Sequence, residues 1–337
     1  MHDSPPPPAI IFGLVSGMWA AQAAATAAKL GIPDHLAHGP LTADELAAKL
    51  GTHPAATYRL LRGVASIGVL SMEPRRRFAL TPVGDLLRSD VPGSMRALLI
   101  AEMAPGHWLP WGDLESAVRS GTPSAPRVLG MDPWKYYEKN HEEGFMFAEA
   151  MSGMSHMAMH AVLASYSFVG SKKVVDVGGS HGAFVSAVLQ REKSAHGVLF
   201  DRPEVIEGAG ATLESAGVAN RVQRTSGDFF QSVPQGGDVY LLKHILHDWS
   251  DDECVTILRN VREAMDPGGK VVVVEMLIDD AGPPSPAPLL DLNMLVMLTG
   301  KERTAEEFGA LFEKAGLKLS GVTPTHSPVA VVEARRA

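Results

Sequence analysis

The chain has 337 residues, 45% of them hydrophobic and 20% charged, which is enough for two domains or one large one with a real core. Its net charge of −8 argues against extended contact with nucleic acid, which needs a basic footprint. A single cysteine, Cys254, allows no internal disulfide and fits a reducing cytosol, so a cytoplasmic protein is expected.

Pro5 to Pro8 stand where a secretory leader would carry a basic region and an apolar core, so no leader is expected. The stretch 9–28 has the length of a membrane span. Its alanines, with Ser16, Gln22 and Thr26, suit a close-packed helix at a subunit interface better, and no membrane partner is expected. Gly31-Ile32-Pro33 ends that helical region. Thr42 then caps a helix with Glu45 three residues on, Gly51 ends it, and Pro54 opens another. Two short apolar strands (68–70 and 78–80) flank Arg75, Arg76 and Arg77. Helix, turn, helix and basic-tipped wing make a winged-helix pattern. The arginines would suit a DNA-binding regulator; the acidic balance and the larger downstream part favour dimerisation instead.

From Ser94 to Tyr166 the pattern is helical, with many aromatic residues and methionines that serve mostly as core. Phe147, Met151 and Met154 lie at i, i+4 and i+7 and share one face, a fitting wall for a flat organic ligand.

Near Lys172 the pattern changes. Val174 to Val177, broken by Asp176, read as a buried strand running into Gly178, Gly179 and Gly182 and then a helix. That is the opening of a nucleotide-binding α/β unit, where glycines let the backbone approach a ligand. About 20 residues on, Asp201 ends a second strand, placed to bond ribose hydroxyls. A nucleoside-containing cofactor follows. Strands at 173–177, 197–200, 222–226, 238–243 and 270–275 alternate with helices, and a last helix precedes strands at 317–322 and 328–333. The expected fold class is α/β, a Rossmann-like doubly wound, mostly parallel sheet. The only low-complexity piece is the proline-rich loop from Pro283 to Pro288.

The fourth of these strands leads into His244-Ile245-Leu246-His247-Asp248-Trp249, and Ser250 to Glu253 form a second capping box. His247 and Asp248 therefore sit at the carboxyl edge of a central strand, where open α/β sheets bind ligands. Glu275 ends the next strand, where a buried charge needs a partner. Glu302 precedes the final helix, with Thr304 as its cap. A histidine held by one or two carboxylates keeps a fixed tautomer and becomes a better base. A helix-start charge or an ion pair with Arg303 is the alternative account of Glu302. His244 reads as packed within the domain, and Cys254 as an ordinary helix position. His156 and His160 are spaced as a ligand pair but lack a third ligand, and the 291–300 segment has no histidine to complete a site with His247. No metal is expected.

Four blocks resemble the S-adenosylmethionine-dependent O-methyltransferases of the plant caffeic-acid and acetylserotonin type: 174–182, 200–206, 242–253 and 300–304. The resemblance covers nearly the whole chain. It implies a winged-helix dimerisation domain (1–95), a helical linker and substrate-pocket region (96–170) and a methyltransferase domain (171–337), assembled as a homodimer. It implies that Ser155, Asp176, Gly178, Gly179, Asp201, Arg202, Gly227, Asp228, Phe229 and Lys243 hold the cofactor. It makes His247 the base, oriented by Glu275 and Glu302. Phe147, Met151, Met154, Asp248, Asn293, Met294 and Met297 match substrate positions, and the implied acceptor is a small aromatic with a phenolic hydroxyl. Ser180-His181 departs from the pattern, since many relatives have another glycine there. A nicotinamide-dependent dehydrogenase would share the glycine turn but explains neither the His-Asp loop nor the Glu302 block. Carbon or nitrogen methylation stays open beside oxygen methylation.

Overall fold

The computed structural model describes residues 5–282 and 284–337, so the first residue of the proline-rich loop, Pro283, lies outside the described residues. These residues group into two units. The first holds the chain up to Leu109 with Trp134–Gly153; the second holds Pro110–Pro133 with Met154–Ala337. The segment 96–170 is divided between them.

In the first unit, one helix runs over Pro7–Lys29 and stops where Gly31 takes φ +72°. Its second half buries Ala24 and Ala27 against Ile32, Leu36, Leu46, Leu61, Val64 and Phe78. Its first half leaves Ile10, Ile11, Phe12, Leu14, Val15, Met18 and Trp19 exposed. By length and composition alone this helix could cross a membrane. The helix Ala43–Leu50 opens on the Thr42–Glu45 capping box, and the helix Pro54–Ser66 follows. Strands β1 (Leu41–Thr42), β2 (Leu70–Glu73) and β3 (Arg77–Leu80) pair antiparallel in the order β1-β3-β2. The wing thus has a third strand, too short at two residues to leave an alternating pattern in the sequence.

The second unit is built on seven strands: β4 (Lys173–Val177), β5 (His196–Asp201), β6 (Val222–Ser226), β7 (Gly237–Lys243), β8 (Met265–Met276), β9 (Leu317–Pro324) and β10 (Val329–Arg336). Their order is β6-β5-β4-β7-β8-β10-β9. The first five run parallel; β10 is antiparallel to both β8 and β9. Val174, Val175, Leu241, Leu242 and Val271 to Val274 are buried, as central strands covered on both faces require. Strand order reverses at β4, which lies between β5 and β7. The carboxyl ends of β4 and β7 therefore form the crevice in which such sheets bind ligands.

Candidate active site

Two loops leave the sheet at that crevice. The first follows β4. Gly178 and Gly182 take φ +68° and +80°, conformations that glycine adopts without cost. The Gly178 N–H donates to the Phe200 carbonyl at 2.8 Å, tying the turn to the end of β5. A Cβ on Gly178 would lie 2.5 Å from Ile245, and one on Gly179 would lie 2.6 Å from the Asp176 carboxyl carbon. Ser180 holds φ +54° where a glycine would be easier, and its N–H donates to Asp201 Oδ2 at 2.8 Å. Asp201 Oδ1 accepts from Arg202 N–H at 2.8 Å. Asp176 is buried beneath the turn, accepts from the Val185 N–H at 3.2 Å, and is pushed up to about 7 by burial.

The second loop follows β7. His247 Nδ1 lies 2.7 Å from Glu302 Oε1 and 3.6 Å from Glu275 Oε2. Its Nε2 faces Asp248 Oδ1 at 3.5 Å. Burial opposes charge on the imidazole, but Glu275, Asp248 and Glu302 outweigh it and push His247 up to about 10. Burial pushes Glu275 up to about 7, and raises Asp248 as well. Glu275 also fixes the loop backbone: its Oε1 accepts from Ile245 N–H at 3.0 Å and Leu246 N–H at 3.1 Å. Glu302 is anchored in turn, its N–H donating to Asp291 Oδ1 at 2.9 Å on the helix Ala287–Met297. The Oε2 atoms of Glu275 and Glu302 are both buried with no hydrogen-bond partner. The Glu302 carboxylate thus faces the His247 ring, with Glu275 and Asp248 beside it, while the Arg303 guanidinium goes to Asp251.

The family model of the O-methyltransferase domain matches residues 111–318, and that of the O-methyltransferase dimerisation domain matches residues 12–90. The chain belongs to the O-methyltransferase family. It is 40% identical over 326 residues to the phenazine O-methyltransferase of Lysobacter antibioticus, covering 97% of this chain and 95% of that one. It is 35% identical over 313 residues to the 8-amino-8-demethylriboflavin N,N-dimethyltransferase of Streptomyces davaonensis, covering 91% and 89%. An O-methyltransferase from neocarzinostatin biosynthesis, solved with S-adenosylmethionine and 2-hydroxy-5-methyl naphthoic acid, matches with a TM-score of 0.81 at 32% identity, covering 94% of this chain and 96% of that one.

The other sequence-predicted positions of this methyltransferase fall into three groups. Near the crevice, the Lys243 ammonium donates to Ser155 Oγ at 2.8 Å and is lowered by burial, against the pull of Glu275 and Asp176. Gly227 N–H donates to the Asp201 carbonyl at 3.0 Å, while Asp228 is exposed and caps the Phe230 N–H at 2.9 Å. Phe229 meets Trp249 edge-on at 5.9 Å. Elsewhere in the same unit, Asn293 accepts from the Trp111 indole N–H at 2.8 Å, and Met294 and Met297 are buried, Met297 beside Val296 and Ala125. Met154 packs against the sheet core. Phe147 and Met151 belong to the first unit, where Phe147 stacks on Tyr137 at 4.8 Å.

By sequence, three residues that shape this site have no part in it: His244 reads as packing and Arg303 only as an alternative partner of Glu302. Arg303 is fully buried; it donates to the Leu246 and Trp249 carbonyls, each at 2.9 Å, and to Asp251 Oδ1 at 2.9 Å. It does not pair with Glu302. Trp249 packs on Phe229 and Phe230. His244 takes φ +51°, stacks on His247 at 5.3 Å, and is pushed well below the usual imidazole range by burial and then by Lys243 and His247. An indole beside the His-Asp pair was the one available signal; the other two depend on tertiary contacts.

Proposed function

We propose that this enzyme transfers the methyl group of S-adenosylmethionine to the hydroxyl of a small aromatic metabolite, with His247 as the general base. The observation that carries this reading is the 2.7 Å contact between His247 Nδ1 and Glu302 Oε1 at the carboxyl edge of β7. A carboxylate on Nδ1 holds the ring proton there and leaves Nε2 to accept the acceptor's proton.

The cofactor fits this chain's residues. A Cβ on Gly178 or Gly179 would collide with Ile245, Leu199 or Asp176, so only glycine keeps this turn tight against the sheet end. Asp201 uses two oxygens on backbone N–H groups, and carboxylate oxygens have lone pairs left for ribose hydroxyls. Phe229 and Trp249 offer aromatic surface for the adenine, with Gly227, Asp228 and Arg202 at its rim. Lys243 and Ser155 serve the methionine end, and Asp176 supports the turn from below. When bound, S-adenosylmethionine supplies an already activated methyl on a sulfonium.

His247 removes the hydroxyl proton as the oxygen becomes the nucleophile, because a neutral phenol with a pKa of about 10 attacks poorly. Glu275 and Glu302 keep the ring oriented and stabilise the imidazolium that forms. Asp248 faces the acceptor side of the ring. Met154, Asn293, Met294 and Met297 line the acceptor side of the site in this reading. Holding both reactants in line supplies much of the remaining acceleration. A second copy of the chain docks through the first unit, on the exposed apolar half of helix Pro7–Lys29. The relationship to an N,N-dimethyltransferase makes nitrogen methylation the alternative. An amine with a free lone pair needs no base before attack, so His247→Ala distinguishes the two. Loss of transfer to hydroxyl acceptors with S-adenosylhomocysteine binding retained supports the oxygen reading; unchanged transfer contradicts it.

A further inference from the structure

We propose that His247, Glu275 and Glu302 form a binding site for a divalent first-row transition metal such as zinc or cobalt, and that metal bound there switches methyl transfer off. The binding half stands on geometry alone; the inhibition rests on the function proposed above.

One ligand atom from each of the three residues lies within 4.8 Å of the other two. The His247 Nδ1 distances to Glu302 and Glu275 are 2.7 and 3.6 Å. Metal bonds of about 2.0–2.2 Å at tetrahedral angles hold donor atoms roughly 3.4 Å apart, between those two spacings. The third spacing, between the two carboxylate atoms, is within 4.8 Å and closes toward that value as the metal enters.

The two carboxylates have reason to take a cation. Glu275 is 0% exposed and Glu302 2%, and each keeps one buried oxygen without a hydrogen bond. Charged groups taken out of water with unfilled lone pairs are costly until a cation joins them. Asp248 adds a third carboxylate beside the same ring. Arg303 is committed to Asp251 and two carbonyls and Lys243 to Ser155, so the single charge of the His247 imidazolium is shared among these carboxylates, and a divalent ion in its place compensates more of their charge. One imidazole and two carboxylates with a fourth position open suit zinc or cobalt. Calcium and magnesium prefer six or more oxygens.

The inhibition follows from the tautomer. Metal takes the place of the proton on Nδ1: the imidazolium releases that proton to solvent and keeps its other one on Nε2, and the neutral ring moves its single proton from Nδ1 to Nε2, the nitrogen that must accept from the acceptor hydroxyl. A base with its accepting nitrogen already protonated cannot act.

Cobalt(II) titration of the purified full-length protein, followed by visible d–d absorption, tests binding without reference to turnover. The wild type should develop a tetrahedral band saturating at one equivalent. Glu302→Gln should weaken cobalt binding about tenfold or more. Glu275→Gln provides the same reading if the first variant melts at lower temperature. Cys254→Ser removes the lone thiol, whose Sγ lies 3.1 Å from the Leu246 carbonyl, and should leave the band unchanged. Zinc should lower kcat for methyl transfer, and excess EDTA should restore it. Absence of the band overturns the proposal, as does its loss in Cys254→Ser or its persistence at full strength in both glutamine variants. A zinc-saturated enzyme at full turnover overturns the inhibitory half. Cobalt binding in a protein that transfers no methyl even without metal supports the site and contradicts the proposed function instead.

Discussion

Glu302 Oε1 lies 2.7 Å from Nδ1 of His247, although 55 positions separate the two residues in the chain. With Glu275 and Asp248 it holds the imidazole up to about 10, so below that pH the ring carries protons on both nitrogens and cannot accept another. The rate should therefore rise with pH, about tenfold per unit on the acid limb, and flatten toward pH 10. Glu302→Gln removes one of the charges favouring the imidazolium. Its acid limb should move to lower pH while the plateau falls by about tenfold or more. Profiles of kcat/KM against pH for both proteins, with one acceptor, check this. An unmoved limb removes Glu302 from the account.

Arg303 ties the same loop from below. Its guanidinium fork reaches the Leu246 and Trp249 carbonyls and Asp251, none of which an apolar side chain could satisfy. Arg303→Met should cost about 3 kcal/mol in stability by leaving buried acceptors unpaired. Arg303→Lys should recover only part of this, because an ammonium cannot fork. Chemical denaturation of the three proteins measures both effects.

Gly300 packs directly on the loop that carries His247. A Cβ there would lie 1.9 Å from the His247 carbonyl oxygen, and backbone cannot yield as a flexible side chain can. Gly300→Ala should displace the loop, costing about 1–3 kcal/mol of stability. Turnover should fall further than S-adenosylhomocysteine affinity, since the glycine turn after β4 is a separate segment. Calorimetry beside steady-state kinetics separates the two losses.

Ser180 holds φ +54° in the cofactor turn. Left-handed backbone costs a non-glycine residue roughly 1–2 kcal/mol, part of which glycine gives back through a freer unfolded chain. Ser180→Gly should thus raise stability by about 0.5–1 kcal/mol. Cofactor affinity should change little, because the Ser180 N–H bond to Asp201 is made by the backbone. A thermal melt and a titration with S-adenosylhomocysteine check both parts.

What the sequence made legible was local. The capping boxes at Thr42 and Ser250 involve residues three apart, and both form. The valine runs of β4 and β8 mark strands covered on both faces, and the glycine turn follows β4 directly. Glu275 and Glu302 could be suspected because a strand end and a helix start placed each near one edge. Arg303 could not be assigned, because its partners are backbone carbonyls in a loop more than 50 positions away. The ion pair with Arg303, the alternative account of Glu302, does not form: the guanidinium goes to Asp251 and the carboxylate to His247. The two-residue strand β1 was invisible for a related reason, since it exists only by pairing with β3.

The most direct test of the central claim compares wild type and His247→Ala in two measurements on the same preparations. One is calorimetric titration with S-adenosylhomocysteine, with NAD as control. The other is methyl transfer from S-adenosylmethionine to a panel of phenolic acceptors, read as the mass gain of one methyl group. Both proteins should bind S-adenosylhomocysteine and ignore NAD, while the variant loses about 100-fold or more in turnover. Undiminished transfer by His247→Ala, or a folded wild type that does not bind S-adenosylhomocysteine, would contradict it.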